Sequence, residues 1–203
     1  MRNYALLLLL MMIAPVCFST AQAQKRFQPG YLVLQRGDTV RGLLEAPTQN
    51  TVARGVILRK NDTPTNDIFY PVKLIRGLRL VSGKTYVMRK MLPVMRRDTL
   101  RLLLEPLAQG RANLYRSSYS LHTTSMNKVY SNQFSGLYYY VESSGNPTRL
   151  PYLLQADTFR QDLRNLFSDC TSAPAITGKF DEANLVRLMQ EYNSCTSILT
   201  QLR

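Results

Sequence analysis

Two cysteines near the C-terminus lie in segments whose apolar residues recur at spacings of three and four, as on one face of an α-helix. The apolar positions of the first segment are Phe159, Leu163, Leu166, Phe167 and Cys170; those of the second are Leu185, Leu188, Met189, Tyr192, Cys195, Leu199 and Leu202. Two antiparallel helices that bury these faces bring the cysteines together. We therefore predict a structural disulfide between Cys170 and Cys195, which stabilises the fold by roughly 3 to 4 kcal/mol.

The beginnings of the two helices also have recognisable signals. Asp157 precedes the first periodic segment and is predicted to be its N-cap, because a short acidic side chain accepts hydrogen bonds from the first free amides of a helix. Asp181 is predicted to cap the second helix. Phe180 lies before that cap and Leu185 four residues after it, the spacing of a hydrophobic staple.

The N-terminus has the three regions of a secretory signal peptide. Arg2 supplies a positive charge, residues 5–16 are an uninterrupted apolar run, and Ala21 and Ala23 provide small residues at alternate positions. We predict that residues 1–23 are a signal peptide cleaved after Ala23, and that the protein is exported to the periplasm, the outer-membrane periphery or the exterior. A membrane anchor is the alternative, although the apolar run is short for a span. A lipoprotein attached through Cys17 is a second alternative, although Val16 precedes that cysteine.

Two cysteines remain after removal of the signal peptide, and in an exported protein an even number indicates a disulfide more often than free thiols. No later segment of the sequence is apolar enough to cross a membrane as a helix. We therefore expect no transmembrane span in the mature chain.

The chain before the helices has the alternation and β-branched content of strands. The strand-like runs are residues 31–35, 39–45, 52–59, 68–75, 85–91, 100–107, 112–119 and 138–142. Arg36, Gly37 and Asp38 separate the first two runs, and Gly37 is suited to the positive φ of a hairpin turn. We predict an α+β protein in which a mostly antiparallel, basic β domain, residues 24–150, is followed by a disulfide-linked helical hairpin, residues 151–203, packed on it.

Positive charge is concentrated in the β-rich part. Residues 24–116 contain 18 lysines and arginines against 6 aspartates and glutamates, whereas residues 117–203 contain 7 of each kind. The densest portion consists of Arg76, Arg79, Lys84, Arg89, Lys90, Arg96, Arg97 and Arg101. A basic face predicts an anionic envelope partner, such as lipopolysaccharide or an acidic glycan, with an envelope protein as another possible partner. The alternative is that these cations keep the protein soluble and protect strand edges.

Recognisable catalytic and nucleic-acid-binding motifs are absent from the sequence. The single histidine, His122, lies in a polar stretch, no cysteine or histidine pair has metal-ligand spacing, and no phosphate-binding glycine loop occurs. We therefore expect no cofactor, no nucleic-acid partner and a non-enzymatic role in the cell envelope. An unrecognised hydrolase of envelope polymers is the alternative, and it requires distant carboxylates to converge in a pocket, together with His122 in one version.

Three stretches resemble a family of uncharacterised exported proteins of Bacteroidota-type bacteria: PGYLVLQRGDTVRGLL from residue 29, EPLAQGRANLYR from residue 105, and FSDC followed by LVRLMQEYNSC near the end. Family members open with a similar hairpin in which Gly-Asp-Thr persists and the residue before the glycine varies. The resemblance implies an envelope location and transfers no catalytic residue. Related proteins often continue into an outer-membrane β-barrel, which we do not expect here.

Arg36, Gly37 and Asp38 also form the tripeptide that adhesion ligands present to integrins. In an arginine-rich chain this tripeptide arises easily by chance, and the turn alone explains the glycine. An adhesin of this type is therefore a minor alternative to the envelope-binding hypothesis.

Overall fold

The computed structural model of the protein describes residues 27–48, 51–60, 67–91, 99–118, 137–144 and 150–195. The predicted signal peptide, Arg96, Arg97 and His122 lie outside the described residues.

The described chain forms ten strands followed by two helices. The strands are β1 Phe27–Leu34, β2 Thr39–Glu45, β3 Gly55–Arg59, β4 Asp67–Pro71, β5 Ile75–Leu80, β6 Thr85–Met91, β7 Leu100–Ala108, β8 Ala112–Ser117, β9 Tyr138–Ser143 and β10 Tyr152–Leu154. The helices are α1 Phe159–Leu166 and α2 Glu182–Ser194, and short 3-10 turns occupy Val72–Leu74 and Phe167–Asp169.

The ten strands form one sheet in the order β10-β9-β8-β7-β6-β5-β1-β2-β3-β4, and all neighbouring pairs are antiparallel. The predicted α+β class, with a mostly antiparallel sheet and two C-terminal helices joined by a disulfide, is thus confirmed. The chain beyond residue 150 also adds a strand to the sheet, because β10 pairs with β9.

The first hairpin shows how the local sequence produces the turn. Gly37 has φ +101°, and its amide donates to the carbonyl of Leu34 at 3.0 Å. The amide of Leu34 in turn donates to the carbonyl of Asp38 at 2.8 Å. A residue with a side chain is strained at this φ, so the glycine has a local structural role in the turn.

Alternation along the strands gives the sheet two faces. We call the face that carries Leu32 and Leu78, which are directly opposite each other, the inner face. The face that carries Tyr31 and Arg79 is the outer face. Leu32 and Leu78 are buried, whereas Arg79 is exposed, so β1 and β5 turn their apolar side chains inward as their period-two pattern requires.

Two hydrophobic cores stabilise the molecule. The first is centred on the strands and includes Leu32, Leu44, Leu58, Ile75, Leu78 and Leu103. The second joins β8, β9 and β10 to the helices and includes Leu114, Val141, Leu163, Phe167, Leu185 and Leu188. The described residues of the two predicted amphipathic faces therefore bury against the far half of the sheet, and Leu199 and Leu202 lie outside the described residues.

Both predictions that placed cysteines within helices were wrong in detail. Helix α1 ends at Leu166, and Cys170 follows the 3-10 turn Phe167–Asp169 in an extended conformation. Cys195 is the residue that ends α2 and is also extended. The apolar period continues through these residues, but the backbone is no longer helical there. Each cysteine therefore lies just after the end of a helical segment.

The two predicted helix caps had different outcomes. Asp181 is the N-cap of α2 and accepts a 2.9 Å hydrogen bond from the amide of Asn184, as predicted. Asp157 is not the N-cap of α1, because Thr158 holds that position. The amides of Thr158 and Phe159 donate to the carbonyl of Gln155, so a turn supplies the acceptors that the Asp157 side chain was expected to provide.

Candidate functional site

A row of side chains crosses four strands on the outer face. The strand registers place Thr85 opposite Arg79, Arg79 opposite Tyr31, and Tyr31 opposite Arg41. Residues directly opposite each other share a face, and neighbouring strands lie about 4.8 Å apart, so Arg41 and Arg79 lie roughly 10 Å apart on either side of Tyr31. We call Arg79, Tyr31 and Arg41 the basic row.

A shallow groove of about 540 Å³ adjoins this row. Its lining includes Tyr31 and Arg41 of the basic row, Lys60 beyond the end of β3, and the exposed Val81. The remaining lining residues are Pro29, Gly30, Gly42 and Leu43. The groove therefore has a largely apolar floor with cations at its margin.

The cations of this site lack acidic partners within the described part of the chain. Arg41, Arg79 and Lys60 form no ion pair with any described carboxylate, whereas neighbouring Arg59 is held by Asp67, with Nε and Oδ1 at 2.7 Å. The pKa of Asp67 is accordingly lowered by its hydrogen bond to Arg59. The outer face thus contains both neutralised and unneutralised arginines.

The structure distributes the predicted cationic cluster over several environments. Arg79 and Arg89 lie on the outer face. Lys90 and Arg101 are directly opposite each other on the inner face, where both are exposed. Arg76 is exposed in β5, and Lys84 lies in the turn before β6. The six described members therefore do not share one face. Sequence reasoning missed Arg41 and Lys60, although the outward position of Arg41 follows from the alternation of β2 around buried Leu44.

Arg89, one of the predicted patch residues, belongs to a polar network. Its Nε donates to the Tyr115 hydroxyl at 3.0 Å and to Glu142 Oε2 at 3.1 Å. Tyr115 donates to the same carboxylate oxygen at 2.5 Å, and Asn113 Nδ2 donates to it at 3.2 Å. Arg89 is thus engaged in holding β6 to β8 and β9.

The electrostatics of this network keep Glu142 ionised and Tyr115 protonated. Burial on its own raises the pKa of Glu142, but the hydrogen bonds from Tyr115, Arg89 and Asn113, with the charge of Arg89, outweigh it and lower that pKa. Burial and the hydrogen bond to Glu142 raise the pKa of Tyr115. The network therefore supplies a fixed acceptor and a fixed donor, which suits a structural connection.

The disulfide lies within a second polar cluster, which joins the C-terminal stretches FSDC and LVRLMQEYNSC to the beginning of β8. Cys170 and Cys195 are bonded, with their Cα atoms 6.1 Å apart. Arg111 donates to Asp169 Oδ2 at 2.7 Å and to the carbonyl of Cys195 at 3.1 Å. Tyr192 donates to Asp169 Oδ1 at 2.8 Å, and burial and this hydrogen bond raise the pKa of Tyr192 to about 12.

Asn193 completes this cluster through backbone contacts. Its Oδ1 accepts from the amide of Ala112 and its Nδ2 donates to the carbonyl of Ala112, both at 2.9 Å. The stretch EPLAQGRANLYR and the pair FSDC and LVRLMQEYNSC therefore meet in space, at Arg111, Ala112, Asp169 and Asn193. The contacts of Arg111 and Asn193 therefore hold α2 and the residues around the disulfide to the sheet.

The Arg36-Gly37-Asp38 turn is exposed, and its two charged side chains are paired with each other. The side chains of Arg36 and Asp38 are 78% and 56% exposed and form a salt bridge. An adhesive contact requires both charged groups to bind the receptor, so this pairing has to be broken first.

Within the described ranges, no three histidine, cysteine, aspartate or glutamate side chains are grouped closely enough to hold a metal ion. The helices of those ranges include none that is long and apolar enough to cross a bilayer. Comparison of the chain with protein-family models, curated proteins and solved structures finds no match.

Proposed function

We propose that this chain is a non-enzymatic, exported protein of the cell envelope that binds an anionic glycan or lipid headgroup through the basic row. One observation carries the proposal: Arg79 and Arg41 flank Tyr31 on the exposed outer face and have no acidic partner among the described residues. A guanidinium group forms paired hydrogen bonds with phosphate and carboxylate oxygens, so two such groups recognise a ligand with repeated anionic groups.

The shape of the site favours an extended partner. The groove beside Tyr31 and Arg41 is shallow and open, and its exposed Val81 adds an apolar contact. A polymer or headgroup lying across the sheet reaches both arginines without entering a deep cavity. Phosphate groups of lipopolysaccharide and carboxylates of acidic glycans have the required charge.

The proposed location rests on independent features. The N-terminal segment has the regions of a secretory signal, and a disulfide joins Cys170 to Cys195. The resemblance to exported Bacteroidota-type proteins supports the same location. Fractionation of the native host should recover the protein outside the cytosol, and recovery in the cytosol would refute this part of the proposal.

Binding of purified protein to lipopolysaccharide, measured at increasing salt, tests the partner. We expect binding at low salt that weakens as salt screens the charges. Replacing Arg41 and Arg79 together by Ala should weaken it by about ten-fold or more, because each arginine contributes a charge-assisted contact.

The matched control replaces Arg164 and Lys179 by Ala. These two substitutions remove the same charge from exposed positions, Arg164 on α1 and Lys179 before α2. Equal losses in both double variants would show that net charge alone drives binding and would contradict a defined site. No binding of the unmodified protein at low salt would reject the proposal as a whole.

A further inference from the structure

A polar row crosses the inner face of the sheet where the two hydrophobic cores meet. The register that pairs Val87 with Leu104 places Tyr86 opposite Glu105. Glu105 is opposite Arg116, and Arg116 is opposite Tyr139. Tyr86 belongs to the first core and Tyr139 to the second, so Glu105 and Arg116 lie at the seam between them.

Arg116 holds two carboxylates at this seam. Its Nη2 donates to Glu105 Oε2 at 2.7 Å and its Nη1 donates to Glu182 Oε2, at the beginning of α2, at 2.8 Å. The Nε of Arg116 donates to the same oxygen of Glu105 at 3.2 Å. Both contacts with Glu105 thus use Oε2, and Oε1 has no hydrogen-bond partner among the described residues.

A cleft of about 330 Å³ opens at this point. Its polar lining includes Lys84, Tyr86, Glu105 and Arg116, and its apolar walls are Pro47, Val52, Leu103 and Leu137. Seams between packed units are common positions for ligand sites, and the volume lies at the lower end of the roughly 300–1,000 Å³ typical of them.

Tyr86 is the unusual member of this lining. Its side chain is only 9% exposed, yet its hydroxyl makes no hydrogen bond to any residue in the described part of the chain. That hydroxyl keeps access to solvent through the cleft that Tyr86 lines. Burial and the nearby charge of Glu105 raise the pKa of Tyr86, so the hydroxyl stays protonated at neutral pH. A ligand in the cleft can therefore offer this largely buried tyrosine the acceptor that no described residue supplies.

Lys84 and Glu105 are a second unusual feature of this lining. They line the same cleft with opposite charges, yet they form no ion pair with each other. Lys84 lies two residues before Tyr86 along the chain, so its Cα is roughly 8 Å from that of Glu105. This separation leaves room for a small ligand between the two charged groups.

We propose that this cleft binds a small zwitterion of the amino-acid type with an apolar side chain. The ligand ammonium faces Glu105 Oε1, its carboxylate faces Lys84 and the Tyr86 hydroxyl, and its side chain contacts Val52 and Leu103. The charges of Lys84, Arg116, Glu105 and Glu182 cancel, so a ligand without net charge complements the site. This site does not depend on the basic row, which lies on the opposite face of the sheet.

Isothermal titration calorimetry with L-leucine, L-valine, L-methionine and L-phenylalanine tests the proposal. At least one should bind saturably, and the versions of that ligand that lack a charge, its N-acetyl derivative and its amide, should bind about ten-fold more weakly. The variant Tyr86→Phe keeps the ring and should also weaken binding about ten-fold. Tyr70→Phe, on β4 at the far edge of the sheet, is the matched control and should leave binding unchanged.

Lys84→Gln gives a readout that a general structural change does not produce. Lys84 lies in an exposed turn, and its loss should remove the preference for the free amino acid over its amide while leaving the thermal midpoint unchanged. Retention of that preference would overturn the assignment of Lys84. Absence of saturable binding by all four amino acids at millimolar concentration, or equal affinity of Tyr86→Phe, would overturn the site, and neither result would bear on lipopolysaccharide binding.

Discussion

Asn193→Ala should test how strongly the C-terminal motif holds α2 to the sheet. The Asn193 carboxamide satisfies both the amide and the carbonyl of Ala112, each at 2.9 Å, at a position that pairs with Ser143 of β9 and has no counterpart in the β7–β8 register. Ala112 is completely buried, so loss of the carboxamide leaves two backbone groups without these partners in a dry environment. At about 1 to 2 kcal/mol for each group, less about 0.5 kcal/mol for the better helix propensity of alanine, we expect a loss of about 1.5 to 3.5 kcal/mol in the free energy of unfolding.

Urea denaturation followed by circular dichroism measures this change under oxidising conditions, with the disulfide intact. With a slope of about 2 kcal/mol per molar urea, the midpoint should fall by about 0.8 to 1.8 M. Asn165→Ala is the matched control. Asn165 lies on α1, and its side chain accepts an exposed hydrogen bond from Gln161 at 3.0 Å, so this variant should lose at most about 0.5 kcal/mol.

Gly110 provides an independent check of the same contact. A Cβ atom on Gly110 meets the Asn193 Cγ at 2.6 Å, so Gly110→Ala must displace the same carboxamide. The losses of Gly110→Ala and Asn193→Ala should therefore be less than additive in the double variant. Additive losses, or equal stability of Asn193→Ala and the Asn165→Ala control, would refute the reasoning.

Four further predictions concern the crosslink, the buried network and the first turn. Cys195→Ser opens a crosslink with a sequence separation of 25, and the free energy of unfolding should fall by about 3.5 kcal/mol in urea titration; an unchanged midpoint would contradict this. Glu142→Gln should cost about 1 to 2 kcal/mol at pH 7. Because the folded pKa of Glu142 is lowered, its contribution is complete above the unfolded value of about 4.3 and disappears as the pH falls through the folded value, so the stability curves of both proteins should converge there; curves that stay parallel would contradict it. Gly37→Ala should lose about 1 kcal/mol from strain at φ +101° alone, because the added methyl group has open space; a much larger loss would reveal a contact. Asp38→Glu should leave the spreading of cells on the purified protein unchanged, and a loss of spreading would favour the adhesin alternative.

Local sequence signals predicted much of the fold because they act over a few residues. Gly37 between two β-rich runs determines a turn, and Asp181 three residues before Asn184 determines a cap. The prediction for Asp157 failed for an equally local reason, since the carbonyl of Gln155 competes for the same amides. Periodicity also extended the helical interpretation to Cys170, because burial of an apolar residue does not require helical backbone.

The candidate site was less predictable from sequence. Arg79 was included in a cluster defined by density along the chain, whereas its neighbour in space is Arg41 on another strand. Arg89 belonged to the same cluster and is instead paired with Glu142, 53 positions away. Charge density in sequence does not reveal which cations are neutralised, because the carboxylates that neutralise them come from distant strands.

Sequence alone determined the elements with short-range causes: most of the strands and their turns, the amphipathic faces of the helices, and the two cysteines available for a crosslink. The tertiary structure decided which cations face solvent without a partner, how the motif residues around Asn193 meet, and that Tyr86 opens into a cleft between two cores. The physical reason is that propensity and alternation depend on neighbouring residues, whereas charge pairing, burial and cavities depend on strand order and register. One residue of register moves a side chain to the opposite face of the sheet, so these properties exist only once the whole sheet is assembled.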